Sequence, residues 1–266
     1  MEREPAVAGT FYPGQEDVLR STVAELLGPA TEAEPAIACV APHAGYVYSG
    51  AIAAEVYRSV RVPAHVVVLG PNHTGQGVRA SIMSHGSWRI PGCSVPIDAP
   101  LAEELRGAAG MTEDHRAHAH EHSLEVQLPF LVHRNPKVRF VPVCLSLLPY
   151  ESCVRIGMAL ADVVVRHGNN ALLVASTDMS HYLPAEVARD EDRLALDRIE
   201  ALDAEGLYRT VLERDISMCG FIPTTVTLIA AKALGASEAR LLRYGSSGEA
   251  SGDYTRVVGY AGFVIR

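Results

Sequence analysis

Two histidines occupy matching places in this chain. In CVAPHAGYVYSG an apolar run, Ile37 to Ala41, stops at Pro42 and His43 follows at once. In HVVVLGPNHTG the run Val66 to Leu69 passes into Gly70, Pro71, Asn72 and then His73. Imidazole nitrogen is accepted by iron, copper and zinc, so two imidazoles aimed from separate loops at one point are the start of a transition-metal site. A third ligand in such sites is a carboxylate, a thiolate or another imidazole. Spacing leaves it open here among Asp178, His181, His122 and Cys219. Asp178 and His181 lie in STDMSHY, which again follows directly on an apolar run, LLVA.

Other polar clusters carry less chemistry. HRAHAHEHSLEVQLPF holds His115, His118, His120 and His122. We read it as a solvated loop entering a helix whose apolar face is Leu124, Leu128 and Leu131. Ser123 is a candidate cap, and Glu121 and Glu125 suit a helix N-terminus. His115, His118 and His120 are assigned to that loop, while His122 stays open between loop and site. Cys219 stands apart from the other cysteines: in SMCGFIPTT, Gly220 permits close backbone approach, and a helix beginning near Pro223 would favour a thiolate. Cys39 and Cys144 fall inside strand-like runs and read as small core residues. The five cysteines show no zinc-ribbon pairing, so plain reduced thiols are expected for all but Cys219. GPNHTGQG lacks the lysine of a phosphate loop. YGSSGEASGDYTR, residues 244–256, reads as a lid or as a polar connection.

The elements that must position these residues alternate. Strands are expected at 36–41, 65–70, 138–145, 171–176, 239–244 and 257–265. Helices are expected at 17–27, 49–60, 99–108, 123–133, 151–167, 185–203, 205–213 and 222–234. Alternating β and α with continuous Val/Ile/Leu strands implies an α/β fold with a parallel or mixed sheet covered on both faces. No linker, repeat or low-complexity segment divides the 266 residues, so one domain over 1–266 is expected. In such sheets ligands gather beyond the carboxyl ends of the strands. That filter selects His43, His73 and the Asp178–His181 segment.

Composition limits the partners. Net charge is −8 and there is no basic run, which argues against nucleic acid. No apolar run reaches the roughly 18–20 residues that span a bilayer. The first residues do not have the pattern of an export leader. The expectation is a cytoplasmic protein that acts on a small molecule.

Taken together, REPAVAGTFYPG, APHAGYVYSG, LGPNHTG, EHSLEVQLPF, STDMSHY, MCG and SGDYTRVVGYAGFVI resemble the Memo family in its bacterial and archaeal form. The resemblance runs from residue 3 to residue 266. Bacterial members are called AmmeMemoRadiSam system protein B, which implies a radical-SAM protein and a third small protein as partners. The implied fold is similar to class III extradiol dioxygenases: a single α/β/α domain around a central mixed sheet. The implied metal ligands are His43, His73 and Cys219, with His181 as acid/base and Asp178 and His122 lining the same cavity. In the ring-cleaving dioxygenases the third ligand is a glutamate. A thiolate there is softer, favouring copper(I) or zinc more than carboxylate would while still accepting iron(II). The resemblance therefore implies a mononuclear iron or copper oxidoreductase with dioxygenase-like chemistry on an aromatic or electron-rich substrate. A zinc-dependent hydrolase and a non-enzymatic phosphopeptide-binding module are the competing readings.

Overall fold

A computed structural model of the chain describes residues 1–29 and 32–266. Among the described residues, the strands in chain order are β1 (Glu2–Arg3), β2 (Ala38–Ala41), β3 (His65–Pro71), β4 (Ala80–Ile82), β5 (Ser87–Ile90), β6 (Cys93–Pro96), β7 (Thr112–Glu113), β8 (Arg139–Leu145), β9 (Ala171–Ser176), β10 (His181–Leu183), β11 (Ala239–Ser246) and β12 (Val257–Ile265). The large sheet runs β10-β12-β2-β9-β3-β8-β4-β7, with β11 paired to β12. Its centre, β2-β9-β3-β8, is parallel. Antiparallel β12 and β4 flank that centre, so the sheet is mixed. A separate small sheet joins β1, β5 and β6.

The central strands ACVA and ALLVAS are buried along their whole length. Such strands are continuous apolar runs because helices cover both of their faces. On β12, a Cβ at Gly262 would meet Val56 and Ile52 of the helix Tyr46–Ser59, whereas one at Gly259 would meet Asp192 of the helix Ala185–Glu200. The two glycines are three apart on one strand and face opposite sides, so two helical layers sandwich the sheet. The fold is α/β with helices on both faces of a mixed sheet, as expected. No helix among the described residues is long and apolar enough to cross a membrane.

All six expected strands form, with ends shifted by at most two residues. The segment expected as one helix over 123–133 is a 3-10 turn, Glu125–Gln127, followed by the helix Leu128–Arg134. Pro129 has no N–H to donate and so takes a place in that helix's first turn. Ser123 caps nothing: its hydroxyl donates to the Pro71 carbonyl at 3.2 Å. The tract called a solvated loop also needs correction, because His115–His118 is a helical turn and His118 is fully buried.

Candidate metal centre

The parallel centre of the sheet brings three strand ends to one edge. β2 ends at Ala41, β3 at Pro71 and β9 at Ser176, and Ala41 pairs with Ser176. His43, His73 and Asp178 each stand two residues past the end of their strand. That equal offset is the physical content of the repeated motif: parallel neighbours deliver equivalent positions to the same crevice.

His43 is buried, with its backbone N–H donating to Asp178 Oδ1 at 2.8 Å and its Nδ1 2.9 Å from Ser176 Oγ. Its tautomer follows from the neighbouring bonds. The single Ser176 hydroxyl proton goes to the Ser123 carbonyl at 2.6 Å, and Gln127 Nε2 also donates to Ser176 Oγ at 2.8 Å. Ser176 is left able only to accept from His43, so Nδ1 carries the proton and Nε2 the lone pair. Burial, then the charge of His73, holds the His43 pKa well below its ordinary value. A neutral ring with an open Nε2 is a metal-ready ligand.

His73 is set the same way by a different partner. Glu121 Oε2 accepts its backbone N–H at 2.6 Å and Glu121 Oε1 takes its Nδ1–H at 2.8 Å. Burial alone would raise the Glu121 carboxyl, but the His73 bond and charge and the Ser123 amide bring it down to about 2. It is therefore an acceptor-only carboxylate that takes the His73 Nδ1–H, which directs Nε2, the nitrogen available to a metal, into the crevice. Carboxylates that orient ligating histidines in this way are characteristic of metal sites. Glu121 is itself locked from behind: Arg3 donates to the Glu121 carbonyl at 2.7 Å and to Glu125 Oε2 at 2.6 Å, and all three residues are buried.

His122 completes the cluster. His43, His73 and His122 each offer one ligand atom, all within 4.8 Å of one another, a group that could hold a metal ion. His122 stacks on His73 with centroids 4.5 Å apart and planes 21° apart, and Phe11 covers it at 4.8 Å. Burial, then the charge of His43, lowers its pKa to about 4.

Cys219 lies outside that group of three but reaches His43, its Sγ 3.2 Å from His43 Nε2. Since that nitrogen is the bare one, the thiol is the donor. Gly220 is what lets it approach. A Cβ there would lie 2.4 Å from the Ser176 carbonyl oxygen and 2.4 Å from Thr177 Cβ, and the Gly220 N–H bonds Thr177 Oγ1 at 2.9 Å. The helix Phe221–Ala233 follows directly. It does not activate the thiol as expected: burial, then the Asp178 carboxylate, pushes the Cys219 pKa up. Burial likewise raises Asp178, against the opposing bond from the His43 N–H.

His181 opens β10 at the same crevice, half-buried. Its Nδ1 donates to the Ser217 carbonyl at 2.9 Å, which leaves Nε2 as its acceptor nitrogen. Ser217 orients this ring, its hydroxyl also accepting the His181 backbone N–H at 2.8 Å. Sequence reasoning missed Glu121, Gln127, Ser176 and Ser217, the residues that fix the rings. A signal existed for Gln127, a polar residue set between Val126 and Leu128 in LEVQLPF.

An α/β sheet whose parallel strand ends converge three imidazoles on one crevice is a fold with a group that could hold a metal ion. The match to the Memo-like protein model spans residues 3–264, and the chain belongs to the Memo family. A MEMO1 family protein of Methanopyrus kandleri is 44% identical, with 100% of this chain and 99% of that protein covered. One from Aquifex aeolicus is 42% identical over 99% of this chain and 98% of its own length. The crystal structure of an uncharacterized Escherichia coli K12 protein shares the fold at TM-score 0.52 and 15% identity, covering 78% of this chain and 89% of that one.

Proposed function

We propose that this chain is a mononuclear metal oxidoreductase that uses dioxygen on a small aromatic or electron-rich molecule. His43, His73 and Cys219 would hold the ion, iron(II) or copper. The observation that carries this is the fixed pair of rings: Ser176 and Glu121 each take a ring's Nδ1–H, which leaves Nε2 of both His43 and His73 as the nitrogen to offer a metal, and the Cys219 thiol points at the first of them. The thiol proton occupies the place of a cation, and a thiolate would replace a thiol once a cation took it. Bound there, iron or copper would supply Lewis acidity and electron transfer.

The remaining residues have separate tasks. Nearly parallel rings carry lone pairs in nearly parallel planes, so the His73–His122 stack favours His122 as a wall of the cavity beside Phe11. Asp178 fixes the His43 backbone and places Oδ2 3.9 Å from His43 Nε2. His181, its Nδ1–H spent on Ser217, accepts or returns a substrate proton at Nε2. The same reading gives the chain a radical-SAM protein and a third small protein as partners.

Metal analysis of anaerobically purified, untagged protein, followed by oxygen uptake with catechols, tests the proposal. Stoichiometric iron or copper and substrate-dependent uptake are expected. Zinc without uptake would move the site to hydrolysis, and a metal-free protein that binds phosphopeptides would end the oxidoreductase reading.

A further inference from the structure

Tyr182 holds a backbone conformation that its residue type resists. Its φ is +61°, in the left-handed region where a bulky side chain is a genuine outlier. The pairing of β10 with β12 shifts register there, between His181 and Leu183, which is how a bulge re-aims a side chain beside a site. The ring is 65% exposed and lies next to His181, with centroids 5.9 Å apart. So exposed a ring returns little burial in exchange for the strain, and strain of this kind gathers at ligand clamps.

Arg256 lies over that ring, its Cζ 5.5 Å from the centroid. It stands two residues before Val258, the β12 partner of His181. Among the described residues Arg256 has no acidic partner, whereas Arg243 binds Glu249 and Arg214 binds Glu191. The acid on its own loop, Asp253, is taken by the Thr255 N–H and hydroxyl. The interior carries carboxylates, Glu121 and Asp178, and would repel an anion. The rim carries an uncommitted guanidinium.

We propose that Arg256, seated on Tyr182, is the anion-recognition element of the substrate site, binding the carboxylate or phosphate of a small aromatic acid. The substrate lies with its oxyanion outward at Arg256 and its opposite end against His43 and His181. A guanidinium stacked on an aromatic face keeps its N–H edge free for a bidentate bond to an oxyanion. Which end of the ligand reacts rests on the metal-centre reading above; the anion site itself does not.

Calorimetric titration of the metal-loaded protein, without oxygen, with catechol and 3,4-dihydroxybenzoate tests this. The acid is expected to bind about 10–100-fold more tightly than catechol. Arg256→Gln should remove that preference while catechol affinity stays within about twofold, and Arg256→Lys should restore only part of it. Tyr182→Gly should weaken the acid too, with a melting temperature equal to or above that of the parent, since glycine accepts the positive φ. Benzoate and phenyl phosphate, titrated into the same proteins with and without metal, separate carboxylate from phosphate. They also keep the two readings distinct, because a protein without metal still reports whether Arg256 selects anions. Equal affinity for catechol and its acid in the parent protein would overturn the proposal. So would an acid preference that survives Arg256→Gln, or a Tyr182→Gly protein that melts lower and binds unchanged.

Discussion

At the residue scale, the centre depends on acceptors as much as on ligands. Glu121 satisfies the His73 backbone, the His73 ring and the Ser123 amide at once. Glu121→Gln keeps the size but turns one acceptor into a donor that faces donors. We expect metal affinity to fall about 10–100-fold, read by competition with a chelator; unchanged affinity would detach Glu121 from the site. His181 makes the opposite prediction. Since Ser217 and not the cluster holds it, His181→Ala should leave metal content intact and lower turnover roughly 10²–10⁴-fold, and loss of metal would place it among the ligands. The sequence made His43 and His73 legible because strand-then-histidine encodes where a parallel sheet delivers a residue. Glu121 was not legible, because its role exists only once a segment 48 residues away from His73 folds against the end of β3.

At the element scale, the turn at Gly220 locks Cys219 to the end of β9. Gly220→Ala would drive a methyl into the Ser176 carbonyl and Thr177. We expect a loss of about 1–3 kcal/mol together with reduced metal occupancy, measured by denaturant unfolding and metal analysis. Gly107→Ala is the control: it lies in the helix Ala99–Ala109 with nothing within 4 Å of its Cβ, and should stabilise by up to about 1 kcal/mol. If the two variants behave alike, close packing at Gly220 is not what seats the cysteine. The long strands could be read because burial on both faces leaves continuous apolar runs. Of the two- to four-residue strands, β2 could be read because it lies in the buried parallel centre; β1, β4, β5, β6, β7 and β10 could not, since tertiary pairing and not local pattern makes them strands. That is why the strand that His181 opens, β10, has no signature in STDMSHY. Local pattern likewise makes the 244–256 segment a lid or a polar connection, whereas β11 continues to Ser246 and Gly248–Ser251 forms a helical turn.

At the scale of the whole molecule, burying neutral histidines makes acid the weak direction. Burial lowers His122 from 6.5 to about 4 and His118 from 6.5 to about 3, and holds His43 well below 6.5. As pH falls below 6.5 the unfolded chain takes up these protons first, so stability declines, until the folded pKa of each ring is passed and its contribution levels off. Glu121 extends the decline from 4.5 to about 2, because its folded pKa is depressed and its contribution is lost as it protonates. Asp178 and Asp192, raised by burial, act in the other sense and offset part of the loss as pH falls toward 3.8. For His122 alone the shift is worth roughly 3 kcal/mol. Urea unfolding of chelator-treated protein at pH 7, 5.5 and 4.5 should therefore show stability falling with uptake of more than one proton. His118→Gln, which removes one buried imidazole, should flatten that slope by up to one proton. The metal-loaded protein should fall more steeply still, since protons then compete for His43, His73 and Cys219 as well. A stability that stays level from pH 7 to 4.5 would mean that these imidazoles titrate in the folded protein just as they do in the unfolded chain, and with that the buried neutral rings, and the metal centre built on their Nε2 lone pairs, would be lost.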